Sequence, residues 1–146
     1  MDERVKRLKT PEECERFARN VSEKNPSLAH EAHRRRVELL ASAHGAYNDV
    51  ELEALKAVYA YEEILMMKHN GRRVRASYTW RMIGQHGIIE TIERLVRTRK
   101  SQSGFVELAK MGMQDLTFEA VVLRNPKSFT QEALSRARQR LGEAPN

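Results

Sequence analysis

The chain has 146 residues, 40% of them hydrophobic and 32% charged, with a formal net charge of +6. Its length suits a single domain that buries roughly 70% of its unfolded surface, and the regular recurrence of Val, Leu, Ile and Phe excludes a disordered composition. One cysteine, Cys14, excludes an internal disulfide and a thiolate zinc site, while the lack of a long apolar run and the charged start Met-Asp-Glu-Arg-Val-Lys-Arg point to a cytoplasmic protein with no membrane partner.

The cap and stop signals predict one all-α domain over residues 1–146, with flexible ends at 1–9 and 143–146. Thr10-Pro11-Glu12-Glu13 starts a helix that runs to Val21 or Ser22. Asn25-Pro26 opens the next, which reaches His44 and stops at Gly45, with Leu28, Ala32, Leu39 and Ala43 as its apolar stripe. Asn48 caps the longest helix, ended by Asn70-Gly71, and its stretch from Ala54 to Met67 is apolar on nearly every side, as a central helix would be. Its Met66-Met67 and Tyr59-Tyr61 surfaces suit a core or the seam of a homo-oligomer equally.

A basic connection from Arg72 leads to a short helix, Ser77 to His86, closed by Gly87. The next helix follows at once, with Ile88, Ile89, Ile92, Leu95 and Val96 at the helical period. Ser101-Gln102-Ser103-Gly104 reads as a loop and Phe105 to Gly112 as a short helix. Asp115 or Thr117 caps Phe118 to Leu123, a run read as helix because no second strand-like run exists to pair with it. Thr130 caps the last helix, to Leu141, with Phe129 and Leu134 as a hydrophobic staple. The expected fold is an irregular bundle of about seven helices around the apolar one.

The charge is unevenly placed. From Lys68 to Lys100 there are nine Lys or Arg against two acids, which leaves the rest of the chain at −1. Within that segment Arg72, Arg73, Arg75, Ser77, Tyr78, Thr79, Trp80, Arg81 and Gln85 mix cations, hydroxyls and aromatics, the types that bind phosphates and stack on bases. The two helices meeting at Gly87 resemble a helix-turn-helix, but the second opens with Ile88-Ile89-Glu90, so the reading element falls on the first. The competing reading packs Trp80 into the core with Met82 and Ile83 and leaves the arginines to solvate a loop.

Two carboxylates sit in apolar company. Glu62 has Val58, Tyr59, Leu65 and Met66 one turn away, and Glu119 lies between Leu116 and Leu123. Either they pin helices together through arginine or backbone donors, or they have raised pKa values suited to acid–base chemistry; the first reading is preferred. His30 and His33 lack a third ligand for a metal, and Arg34, Arg35 and Arg36 beside them read as an exposed basic face. No phosphate loop, nucleophile elbow or dinucleotide fingerprint occurs, so neither a cofactor nor a catalytic residue is indicated.

The blocks Arg75 to Glu90 and Met113 to Glu119 resemble short helical bacterial proteins with which no function is associated. That resemblance implies a bacterial origin and supplies neither activity nor site residues. The leading expectation is a non-enzymatic nucleic-acid-binding accessory or regulatory protein, DNA and RNA being equally open. The alternatives are a module for an acidic protein partner and a helical enzyme using Glu62 or Glu119.

Overall fold

A computed structural model describes residues 1–98 and 104–142. Among them there are nine α-helices, two 3₁₀ turns and no strand. The helices are α1 (Glu3–Lys6), α2 (Pro11–Val21), α3 (Pro26–His44), α4 (Asp49–Lys68), α5 (Ser77–His86), α6 (Ile88–Thr98), α7 (Phe105–Lys110), α8 (Phe118–Arg124) and α9 (Gln131–Gly142). The 3₁₀ turns are Gln114–Leu116 and Pro126–Ser128. Arg99, Lys100, Ser101–Ser103 of the expected loop and the expected flexible end 143–146 lie outside the described residues.

Local side-chain chemistry sets most boundaries. The Thr10 hydroxyl accepts from the Glu13 N–H at 3.1 Å, Asn25 Oδ1 from Leu28 at 3.2 Å, and Asn48 Oδ1 from Glu51 at 2.9 Å. Each satisfies one of the orphan donors of a first helical turn. Glu51 also reaches back to the Tyr47 N–H at 3.1 Å, closing that turn from both sides. Thr117, rather than Asp115, caps α8 by accepting from Ala120, and Thr130 caps α9 by accepting from Ala133. Gly45 ends α3 at φ +88°, a backbone conformation that a side chain would strain.

The main core joins Ala54, Ala57 and Val58 of α4 to Ile92, Leu95 and Val96 of α6, and to Val121 and Val122 of α8. Phe129 and Leu134, at the expected staple positions, close its far side against α9. A second cluster lies toward the other end of α4, where Ala60 and Ile64 meet Val37 of α3 with Leu108, Met113 and Leu116. A third holds α2 to α3 through Ala18, Ala29 and Ala32. Helix α4 therefore touches α3, α6, α7 and α8. Met66 is buried and Met67 exposed, while Tyr59 and Tyr61 are half-buried against Trp80 and Phe118. No helix among the described residues is long and apolar enough to cross a membrane.

Three sequence expectations are corrected. The count of about seven helices falls short of nine, in part because the four-residue α1 is too short to show a period; Asp2 caps it, and buried Val5 anchors it. The inward stripe of α3 is Leu28, Ala29, Ala32, Arg36, Val37 and Ala41, whereas Leu39 is half-buried and Ala43 exposed. The arginine triplet is not an exposed basic face. Arg34 holds Asp115 with two hydrogen bonds of 2.9 and 2.7 Å, Arg35 donates to the Leu8 carbonyl, and Arg36 is buried against Glu63.

Candidate nucleic-acid interface

The connection between α4 and α5 is fastened at one point, Glu62. Its Oε2 accepts from Arg75 Nε at 3.0 Å, from the Ala76 N–H at 2.7 Å and from Trp80 Nε1 at 2.7 Å. Three donors on one carboxylate oxygen tie the basic segment and the first turn of α5 to the flank of α4. The Arg75 guanidinium lies over the Trp80 ring at 5.1 Å, a cation–π arrangement. Beneath, Trp80 stacks on His44 at 5.4 Å and leans on Tyr59 at 5.3 Å.

This anchoring decides which side chains of the segment remain at the surface. Thr79 is 2% exposed, and Trp80 has committed its N–H to Glu62 and its faces to Arg75, His44 and Tyr59. Neither is presented to a ligand as sequence reading expected; Met82 and Ile83 pack inward with Trp80. Exposed instead are Arg72, Arg73, Arg75, Ser77, Arg81, Gln85 and a 65% exposed Tyr78. Tyr78, Arg81 and Gln85 follow at helical spacing and so share the outer face of α5. Ala76 at the N-cap has no side-chain acceptor of its own, and the Glu62 carboxylate takes its N–H at the N-terminal pole of α5. At the other end Gly87 takes φ +84°, which lets α6 begin in the following residue.

Ion pairing divides the basic segment in two. Lys68 pairs with Glu107 at 3.4 Å, Arg94 with Glu90 at 3.0 Å, and Arg97 with Glu93 at 2.6 Å. Arg73 lies 3.7 Å from exposed Glu12, and Arg75 holds Glu62 while keeping 64% of its side chain exposed. Arg72 and Arg81 make no ion pair among the described residues. Among the described residues of the segment the cations without an ion pair are thus Arg72 and Arg81, and both cations of α6 are paired.

Glu119, the second carboxylate singled out, is buried and accepts from buried Arg140 at 3.1 Å, tying α8 to α9. Sequence reading passed over two comparable groups. Glu63 is fully buried, paired with Arg36 and held by His33 Nδ1 at 2.8 Å. Glu93, also buried, accepts from both the N–H and the hydroxyl of Thr130 at 2.9 Å and so fixes the start of α9. A signal existed for Glu63, since Tyr59, Ala60, Met66 and Met67 flank it one turn away, as apolar as the neighbours of Glu62. Arg36 likewise continues the Ala29–Ala32 stripe by one helical turn.

Comparison of the chain with models of protein families, with curated proteins and with solved structures finds no match.

Proposed function

We propose that the protein is a nucleic-acid-binding accessory or regulatory protein, engaging phosphates through Arg72, Arg73, Arg75 and Arg81 with Ser77, Tyr78 and Gln85 beside them. The observation that carries this reading is the coincidence of four exposed arginines, two of them (Arg72 and Arg81) without an ion pair among the described residues, with an exposed aromatic ring at the start of α5, beside cations of α6 that are held in ion pairs. Arginine forks match phosphate oxygens, and Tyr78 offers a face for a base. Trp80 and Thr79 have no part in it. We assign Glu62 and Glu119 to holding helices, because each is engaged by arginine and Glu62 by two further donors. A bundle organised on α4, a cytoplasmic location and a bacterial origin belong to the same proposal.

The test is binding to single- and double-stranded DNA and RNA at low salt. Charge reversal at Arg72, Arg73 and Arg75 together should weaken binding by at least tenfold, whereas reversal of Arg136 and Arg140 should do less where the fold survives. Binding to no nucleic acid at low salt would overturn the reading and favour an acidic protein partner for the same face. Equal loss from the two sets would reduce the attraction to net charge.

A further inference from the structure

A cavity of about 370 Å³ opens between α2, α3 and the end of α4, and His33 of α3 forms part of its wall. The ring Nδ1 lies 2.8 Å from Glu63, which is wholly buried and also paired with Arg36. A carboxylate held by a guanidinium is ionised and only accepts, so Nδ1 carries the proton and the lone pair of the neutral ring lies on Nε2. Nε2 makes no hydrogen bond among the described residues and, in contrast to the buried Nε of Arg36, is not cut off from solvent. Because Nδ1 meets a group with no exposed surface, the 16% of the His33 side chain that is exposed belongs to the opposite edge of the ring. The fold thus holds an oriented acceptor at the cavity. Asn70 lines the same space, and its amide makes no hydrogen bond among the described residues. Met66 and Met67 supply apolar wall, Met67 being 47% exposed. The charged residues of the lining, Glu15 and Arg19, pair with each other at 3.7 Å, so the cavity has no net charge with which to hold an ion.

We propose that this cavity receives an unpaired nucleobase of a bound single strand, an inference that rests on the nucleic-acid reading above. A base is uncharged and planar, and it presents an N–H on its Watson–Crick edge that suits the His33 acceptor; in a duplex the pairing partner occupies that edge. The Asn70 amide adds a donor and an acceptor, and methionine sulfur makes favourable contacts with an aromatic ring. The volume falls within the range of roughly 300–1,000 Å³ typical of small-molecule sites. Position ties the cavity to the strand. Gly71 belongs to its lining and Arg72 follows at once, while Arg73 reaches Glu12, one turn ahead of Glu15 on α2. A strand whose phosphates lie on Arg72 and Arg73 therefore passes the rim.

The full chain is titrated at low salt with labelled single-stranded DNA and RNA, each beside a counterpart made abasic at its central positions, and binding is followed by fluorescence anisotropy. The paired strands carry the same phosphates, so counterion release cancels between them. The intact strand should bind about tenfold tighter than the abasic one. Removing bases also removes stacking on Tyr78, so the location is read from variants. His33→Gln keeps an amide N–H for Glu63 and removes the ring acceptor. Asn70→Gly removes the amide at an exposed position whose φ of +58° glycine adopts freely. Each should lower the intact-to-abasic ratio about fivefold, with affinity for the abasic strand held within about twofold because no phosphate contact is lost. A ratio near one in the parent, with binding retained, overturns the base site and leaves the phosphate contacts standing. A ratio that survives both folded variants and vanishes in Tyr78→Ala places the base on Tyr78 and likewise overturns the site. Binding of no strand at all removes the nucleic-acid reading, and this inference with it.

Discussion

Replacing Glu62 by Ala removes one carboxylate and strands three donors of unequal consequence. The Ala76 N–H is buried and loses a 2.7 Å acceptor; the indole N–H of half-buried Trp80 loses another at 2.7 Å. A buried donor left without an acceptor costs about 1–3 kcal/mol, and the half-buried indole belongs at the lower end of that range. Arg75 returns largely to water, because 64% of its side chain is already exposed, so its ion pair adds at most roughly 1 kcal/mol. The total is about 2–5 kcal/mol, which in a chain of this size lowers the melting temperature by roughly 5–20 °C. Glu62→Gln keeps an acceptor oxygen for the backbone N–H and should lose about half as much. Thermal unfolding followed by circular dichroism measures the total, and emission from Trp80, the single tryptophan, reports the same locus directly. An Ala variant that melts within about 1 °C of the parent, with its emission maximum unmoved, would refute the idea that Glu62 fastens the basic segment.

Asp115, held by Arg34 through two hydrogen bonds, has its carboxyl pKa lowered, with the guanidinium hydrogen bonds the largest cause and burial opposing them. A lowered carboxyl pKa contributes stability that is complete above the ordinary aspartate value of about 3.9 and is lost as pH falls through the lowered value. Asp115→Asn should therefore flatten the acid limb of the melting-temperature profile and change little at neutral pH beyond a small constant loss, Asp115 being 46% exposed. An unaltered acid limb would show the pair to be energetically idle. Cys14 is buried, and burial pushes its thiol up to about 11, with Arg35 and Arg36 acting in the opposite direction. A thiol-specific reagent at neutral pH should label the native protein at least about 100-fold more slowly than the unfolded chain; rapid native labelling would place Cys14 at an opening surface.

What was legible in the sequence was what neighbours in sequence decide. Thr10, Asn25, Asn48 and Thr130 cap the helices that follow them because capping needs only a short polar side chain and an N–H three residues on. The C-terminal bound of α5 was readable because Gly87 takes φ +84°, which a side chain would strain. The partners of the arginines were not readable. Arg34, Arg35 and Arg36 point in three directions about 100° apart, and identical residues end on an aspartate 81 positions away, on a backbone carbonyl and inside the core. Which of the three turns inward is fixed by where α4 lies, a tertiary fact. The same holds for Glu62 and Glu63, adjacent carboxylates with equally apolar neighbours, one turned to the connection and the other to α3.

That division of arginines between structure and surface sets the electrostatics that nucleic-acid binding would show. If all nine cations from Lys68 to Lys100 met phosphates, the logarithm of affinity for duplex DNA would fall with the logarithm of salt at a slope of about −8. Arg94 and Arg97 are held by Glu90 and Glu93, and releasing them would sacrifice the pairs that fix α6 and, through Glu93, the start of α9. Lys68 is held by Glu107 as well, so of the seven described cations of that segment the four arginines at positions 72, 73, 75 and 81 remain, and they contribute a slope of about −3.6 on a duplex and about −2.8 on a single strand. Reversing Arg72, Arg73 and Arg75 leaves Arg81 alone of these four, so their contribution to the slope should fall to about −1. A parent slope steeper than about −6 would mean that α6 takes part after its ion pairs open. Tight binding with a slope shallower than about −1 would mean that phosphate neutralisation is not what holds the strand.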